Sequence, residues 1–215
     1  MQAQIQTLLN GKDNIEKIRD AIALILKNEL SNQYALAETA GIESLEDFNI
    51  GVYLESARPW ELTANEAGGN PFPLVNILLN EMRRVEGKAG SAIGRKRYTA
   101  SFSIDCYACG NAESDSDDTR HATLKAWRIA CIVRSILMSG FYAYLGMRGV
   151  VLERDMPGIK TGIPSNLAES AAAVTVARID FSVSFYEDSP QGDGAELEEI
   201  QFEAVGKTGE VLIRI

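Results

Sequence analysis

The stretch Tyr98–Ala108, YTASFSIDCYA, decides the fold. Tyr98, Ala100, Phe102, Ile104, Cys106 and Ala108 fall on one face of an extended chain, and Thr99, Ser101, Ser103, Asp105 and Tyr107 on the other. Alternation held this long predicts a strand with one apolar face and one wet face. A polar break follows, then a helical pattern over residues 117–140. There Leu124, Trp127, Ile129, Ala130, Val133, Ile136 and Leu137 make an apolar stripe, with Arg120, Lys125, Arg128 and Arg134 opposite. A half-wet strand feeding a long helix predicts an α+β fold. The expectation is a mostly antiparallel sheet of four or more strands, two main helices packed on one face and a C-terminal hairpin.

Upstream, Asp13 and Asn14 can cap a helix over residues 14–30, in which Ile15, Ile18, Ile22, Ile25 and Leu26 recur at spacings of three and four. Residues 31–46 read as irregular, with a short turn through Gln33–Glu38. Phe48, Ile50, Val52 and Leu54 alternate as a first strand, which stops before Arg58-Pro59. Residues 73–82 read as a second strand, apolar on both faces and therefore expected to be covered by helices on one side and by another subunit on the other. Downstream, a brief strand is expected around Val150–Glu153 and a loop over 158–170. Residues 173–185 repeat the alternation of Tyr98–Ala108 and predict its antiparallel partner. Residues 196–215 alternate on either side of Gly206–Gly209, which predicts a hairpin that needs something to pack on. All 215 residues suit one domain.

The charge is −9, with 46% apolar and 24% charged residues. That balance argues against a dedicated DNA binder, which needs a positive face. The exception is local. Arg83, Arg84, Lys88, Arg95, Lys96 and Arg97 face only Glu86 within residues 83–97. The segment is either a solvated hairpin loop or an arm that docks on an acidic partner or on nucleic acid. No aromatic residue is interleaved before Tyr98, so docking on protein is favoured over base stacking. The sequence predicts neither a membrane span nor a secretory signal.

Reaction chemistry leaves little trace. Cys106 and Cys109 have CxxC spacing, but 106 and 109 would point to opposite strand faces and no second pair exists; a structural role is expected. His121 is the one histidine, which excludes HExxH; in the first turn of its helix it reads as a surface residue and not a catalyst. GIKTG at 158–162 and GKTG at 206–209 lack phosphate-loop spacing and read as turns. The acids of 113–118 lack the glycine and distal glutamate of a calcium loop and suit a helix cap, with Asp117 or Asp118 in that role. No cofactor, metal or catalytic residue is expected.

The succession IEKIRDAIALIL, PLVNILLNEM, YTASFSIDCYA, DDTRHATLKAWRIACIVRSIL and VARIDFSVSFYE, across roughly residues 12–186, resembles the tail terminator (tail completion) proteins of long-tailed bacteriophages. The resemblance implies a structural virion protein, not an enzyme, made in the host bacterial cytoplasm and placed at the tail–neck junction. Six copies would form a ring that caps the tail tube protein and meets the neck and head-completion proteins; it admits a contact with a sheath terminator. DNA would pass through the lumen without sequence readout. On this reading Arg83, Arg84, Lys88, Arg95, Lys96 and Arg97 dock a partner. Val75, Ile77, Leu79, Ile200, Phe202, Val211 and Ile213 are the expected subunit contacts. A head–tail connector or other neck protein shares this small build, and a small-molecule-binding or enzymatic α+β domain is the alternative of another class.

Overall fold

A computed structural model of the chain describes residues 11–57, 73–85, 95–110, 118–163 and 174–187, together with the backbone of 203–205 and 211–214. The elements are α1 (Asn14–Thr39), β1 (Gly51–Leu54), β2 (Leu74–Arg84), β3 (Lys96–Cys109), α2 (Asp118–Leu137), β4 (Val151–Gly162), β5 (Val174–Glu187), β6 (Glu203–Val205) and β7 (Val211–Arg214). Short 3-10 turns precede β1 and follow α2. The fold is α+β: one sheet in the order β1-β2-β3-β5-β4, with α1 and α2 on the same face.

The sheet is mixed, which corrects the expectation of a mostly antiparallel one. β2 with β3, β3 with β5 and β5 with β4 are antiparallel, but β1 joins β2 parallel, Gly51 against Leu74. The connection through residues 55–73 is long enough to return the chain to the starting end, which a parallel pair requires. β6 and β7 pair antiparallel as a separate two-stranded sheet.

β3 extends the predicted strand at both ends and pairs along its whole length with β5, from Lys96 opposite Glu187 to Cys109 opposite Val174. Its apolar alternates face the helices. Phe102, Ile104 and Cys106 meet Phe181, Ile179 and Ala177 in register, and Ile18, Ile22, Leu26, Ala126, Ala130 and Val133 cover them. Burying each large side chain contributes about 1.5–3 kcal/mol.

α1 runs well beyond residue 30. Leu30 and Ala37 continue its buried stripe. It stops at Gly41, whose φ of +67° suits a residue without Cβ. Gly41 N–H donates to Glu38 O and Ile42 N–H to Ala37 O, both at 3.1 Å, the double bond that closes a Schellman cap. At the other end the Asp13 side chain makes no capping bond. The Glu187 carboxylate accepts from Asn14 N–H at 3.3 Å, and Asn14 Nδ2 donates to Tyr186 O at 2.9 Å, tying the helix to the end of β5.

β4 is three times the length expected for that region, because Pro157, Gly158 and two register shifts mask its alternation. It also terminates α2. Arg154 reaches across and donates to Leu137 O, to Tyr142 O at 2.7 Å and to Ser139 O at 2.6 Å. Helix ends leave carbonyls without partners, and a cation there also meets the negative end of the dipole. Burial lowers the Arg154 pKa from its ordinary value, yet arginine stays charged at any physiological pH.

Candidate functional site

The helices cover one face of the sheet, so the candidate surface is the other face with its two edges. Rows of side chains cross it from β2 to β4. Arg83, Thr99, Ser184 and Glu153 form one row, and Glu81, Ser101, Ser182 and Asp155 the next. Leu78, Ser103, Asp180 and Gly158 follow, then Asn76, Asp105, Arg178 and Lys160. Period-two alternation therefore sets a polar and charged lattice against the back of an apolar core.

Asp105 anchors this lattice. It is 1% exposed, and Arg178 holds both its oxygens, Nε to Oδ1 at 2.6 Å and Nη2 to Oδ2 at 2.7 Å. The Tyr107 hydroxyl also donates to Oδ2, at 3.2 Å. Burial, and then the neighbouring Asp105 charge, pushes Tyr107 far above the ordinary tyrosine range, so it stays a donor. Arg178 is raised by its hydrogen bonds to Asp105, and its side chain is 49% exposed. The pair is thus buried at the acid and wet at the base. Asn76, also buried, donates to Ser56 O at 2.8 Å and accepts from Ser56 N–H at 3.3 Å, which fixes the chain leaving β1. Asn80 donates to Ser103 Oγ at 2.8 Å, and Lys160 meets Asp180 at 2.9 Å. At the β1 corner of this face the lattice gives way to Leu74, Tyr107 and Val174, with Tyr53 and Val176 against them.

The expected docking residues divide. Arg83 and Arg84 are exposed at the end of β2, and Arg95 and Arg97 stand exposed at the start of β3. Arg83 pairs with Glu81 at 2.9 Å, Arg97 with Glu153 at 3.1 Å, and Arg95 lies over the Tyr186 ring at 5.9 Å. Lys96 is half-buried. Lys88 lies outside the described residues. The basic residues thus flank one end of the sheet, some already matched to acids.

Val75 and Ile77 are both 0% exposed, enclosed by the helices of their own chain, which corrects their reading as subunit contacts. Leu79 is partly buried against the same core. β2 is apolar on both faces because Leu74 and Leu78 back the opposite side, not because Val75 and Ile77 look outward. Ile200 and Phe202 lie outside the described residues, and only the backbone of Val211 and Ile213 is described.

Cys106 is buried on the helix face and Cys109 points the other way, as the spacing predicts. Burial raises the Cys106 thiol well above its ordinary value and keeps it unreactive. His121 is exposed in the first turn of α2. Among the described residues no three His, Cys, Asp or Glu side chains come together as metal ligands. Residues 111–117, where the acidic loop and the Asp117 cap were expected, lie outside the described residues, as does GKTG at 206–209. GIKTG is not a turn but the last part of β4. Among the described residues no helix is long and apolar enough to cross a membrane.

Three features have no local signal in the sequence. The Asp105–Arg178 pair joins residues 73 positions apart. Arg154 acts on a helix whose pattern does not mention it. Phe141, 96% exposed beside the end of α2 with Met138 and Tyr144 also exposed, sits in a stretch of mixed composition with no period. No protein-family model matches the chain, and no curated protein shows significant similarity to it.

Proposed function

We propose that this chain is a ring-forming structural protein of a bacteriophage tail, a tail terminator that caps the tube and meets the neck, and that it catalyses no reaction. The observation that carries the reading is the one-sided sheet. Both helices lie on one face, which sets the hydrogen-bonded polar lattice on the other, between two sheet edges. That is the shape of a wall segment, and it suits head-to-tail association of identical copies better than enclosure of a small ligand. The net charge of −9 suits a bore through which DNA passes without adhering. The bases at the β2–β3 end suit docking on an acidic surface of the tube or neck, and the hairpin of β6 and β7 is a further candidate contact within the ring.

Electron microscopy of tails assembled with the full chain tests the reading. The protein should form a single layer at one tube end. Replacing residues 86–96 by Asn-Gly, a two-residue link between Val85 and its bonded partner Arg97 that removes Lys88, Arg95 and Lys96, should leave the fold intact and abolish attachment. Complete tails built with that variant would refute the docking role, and absence of the protein from tube ends would refute the assignment.

A further inference from the structure

Resting on the ring-forming reading, we propose that successive copies join through their helical layers: the acidic corner between α1 and β1 in one copy, residues 36–46, docks on the outer flank of α2 in the next. Charge is sorted between two stretches. Residues 28–57 hold six acids, Glu29, Glu38, Glu43, Glu46, Asp47 and Glu55, and no base. Residues 119–152 hold five bases, Arg120, Lys125, Arg128, Arg134 and Arg148, and no acid. Among the described residues the two stretches meet in one ion pair, Lys125 with Asp47 at 3.0 Å. Glu38, Glu43 and Glu46 on one side and Arg120 and Arg134 on the other stay exposed, with no ion pair among the described residues. Exposed apolar groups stand among them, Leu36 and Ile42 with the acids, Leu124 and Trp127 with the bases. Unmatched charge around exposed apolar surface is the make-up of an interface.

Position fits the two surfaces to each other. Arg120, Leu124, Trp127 and Arg134 recur at spacings of four, three and seven, which makes one stripe along α2. Lys125 reaches Asp47, in the turn packed on α1. Trp127, two residues on and about 200° around the helix, looks the other way. α1 lies against β1 and β2, and α2 against β3, β5 and β4, so the stripe faces the β4 flank. The acidic corner leads into β1, the opposite edge of the sheet. Both surfaces sit at one level. The row Gly51–Leu74–Tyr107–Val176–Gly162 crosses the sheet from edge to edge. The turn Leu45–Phe48 leads into Gly51, and exposed Ile163 follows Gly162. Thr123 Oγ1 lies 3.4 Å from Thr175 Oγ1, which sets the start of α2 at that same end. Surfaces on opposite flanks at one level meet by rotation about an axis along the strands, without the rise per copy that builds a helix. Two acidic corners would repel, as would two stripes, so the charges select the unlike pairing over a two-fold dimer.

Native mass spectrometry of the full chain and of two charge-reversed variants tests the joint, with circular dichroism to check each fold. One variant carries Glu43→Lys and Glu46→Lys, the other Arg120→Glu and Arg134→Glu, all at exposed side chains. Each variant alone opposes like charges and should form rings only at concentrations higher by roughly tenfold or more. Mixed one to one, the two should rebuild rings at the parent's concentration, with equal numbers of each. Variants that form rings alone as readily as the parent, or a mixture that stays dissociated, would overturn the joint and leave the ring reading standing. An Arg120→Glu, Arg134→Glu chain that keeps its rings but no longer attaches to tail tubes would assign the stripe to the tube protein and overturn the joint. A parent chain that is monomeric at every concentration would overturn both. If a variant does not fold, hydrogen exchange of the parent across a dilution series decides. Peptides covering 36–46 and 119–134 should slow together where rings form, and slowing at neither or only one would overturn the joint.

Discussion

The two faces of the central sheet share every strand and almost nothing else. On the helix side, Phe102, Ile104, Phe181 and Val183 are buried among α1 and α2 and are held by area and fit. On the open side, one residue along, Ser103, Asp105 and Asp180 are held by polar partners, Asn80, Arg178 and Lys160. Stability on the first face is non-directional and scales with the apolar surface removed from water. On the second it depends on whether each buried polar atom keeps its partner. The comparison teaches that the open face is a built surface, with its own anchors, and not simply the uncovered back of a core.

The largest effect should come from the apolar side. Phe102→Ala should cost about 3–5 kcal/mol, read as a fall in the midpoint of denaturant unfolding with little change in slope. A loss below about 1 kcal/mol would mean that the helices do not close over β3 as described.

Next comes the anchor of the polar side, where the two partners should differ. Arg178→Ala strands a buried carboxylate and should cost about 3 kcal/mol; Asp105→Asn leaves a half-exposed guanidinium that water can solvate and should cost about half as much. Equal costs would show that Asp105 reaches solvent. Arg154→Ala, on the helix side, should cost about 2 kcal/mol by releasing the last carbonyls of α2. Amide exchange should then accelerate at the end of α2 before it does in β3.

The smallest effect should be at the rim. Glu153→Gln removes an exposed pair with Arg97 and should change monomer stability by less than about 1 kcal/mol, the more weakly the higher the salt.

Much of this architecture is legible in local pattern, and the difference between the faces is the reason. β3 and β5 read clearly because Phe102 or Phe181 on one side contrasts with Ser103 or Asp180 on the other. β4 does not, since Pro157, Gly158 and exposed charges break the alternation of an edge strand that shields few apolar groups. The second half of α1 is blurred by exposed Leu36, although Gly41 marks its end for a reader who trusts the glycine over the period. The parallel placement of β1 has no local signature, because strand order depends on a connection and not on alternation. The basic cluster at 83–97 is visible as composition, whereas the bidentate Asp105–Arg178 pair and the Arg154 cap arise only when distant strands are set side by side. Val75 and Ile77 misled for a related reason: a run apolar on both faces does not say which face is covered by its own chain.

The central claim is that copies of this chain work by associating into a closed ring. Native mass spectrometry of the full chain over a rising concentration series tests it most directly. The account predicts a discrete species of six subunits with no larger open-ended series. A lone 23.5 kDa chain at every concentration, carrying the extra mass of a retained small molecule, would contradict it.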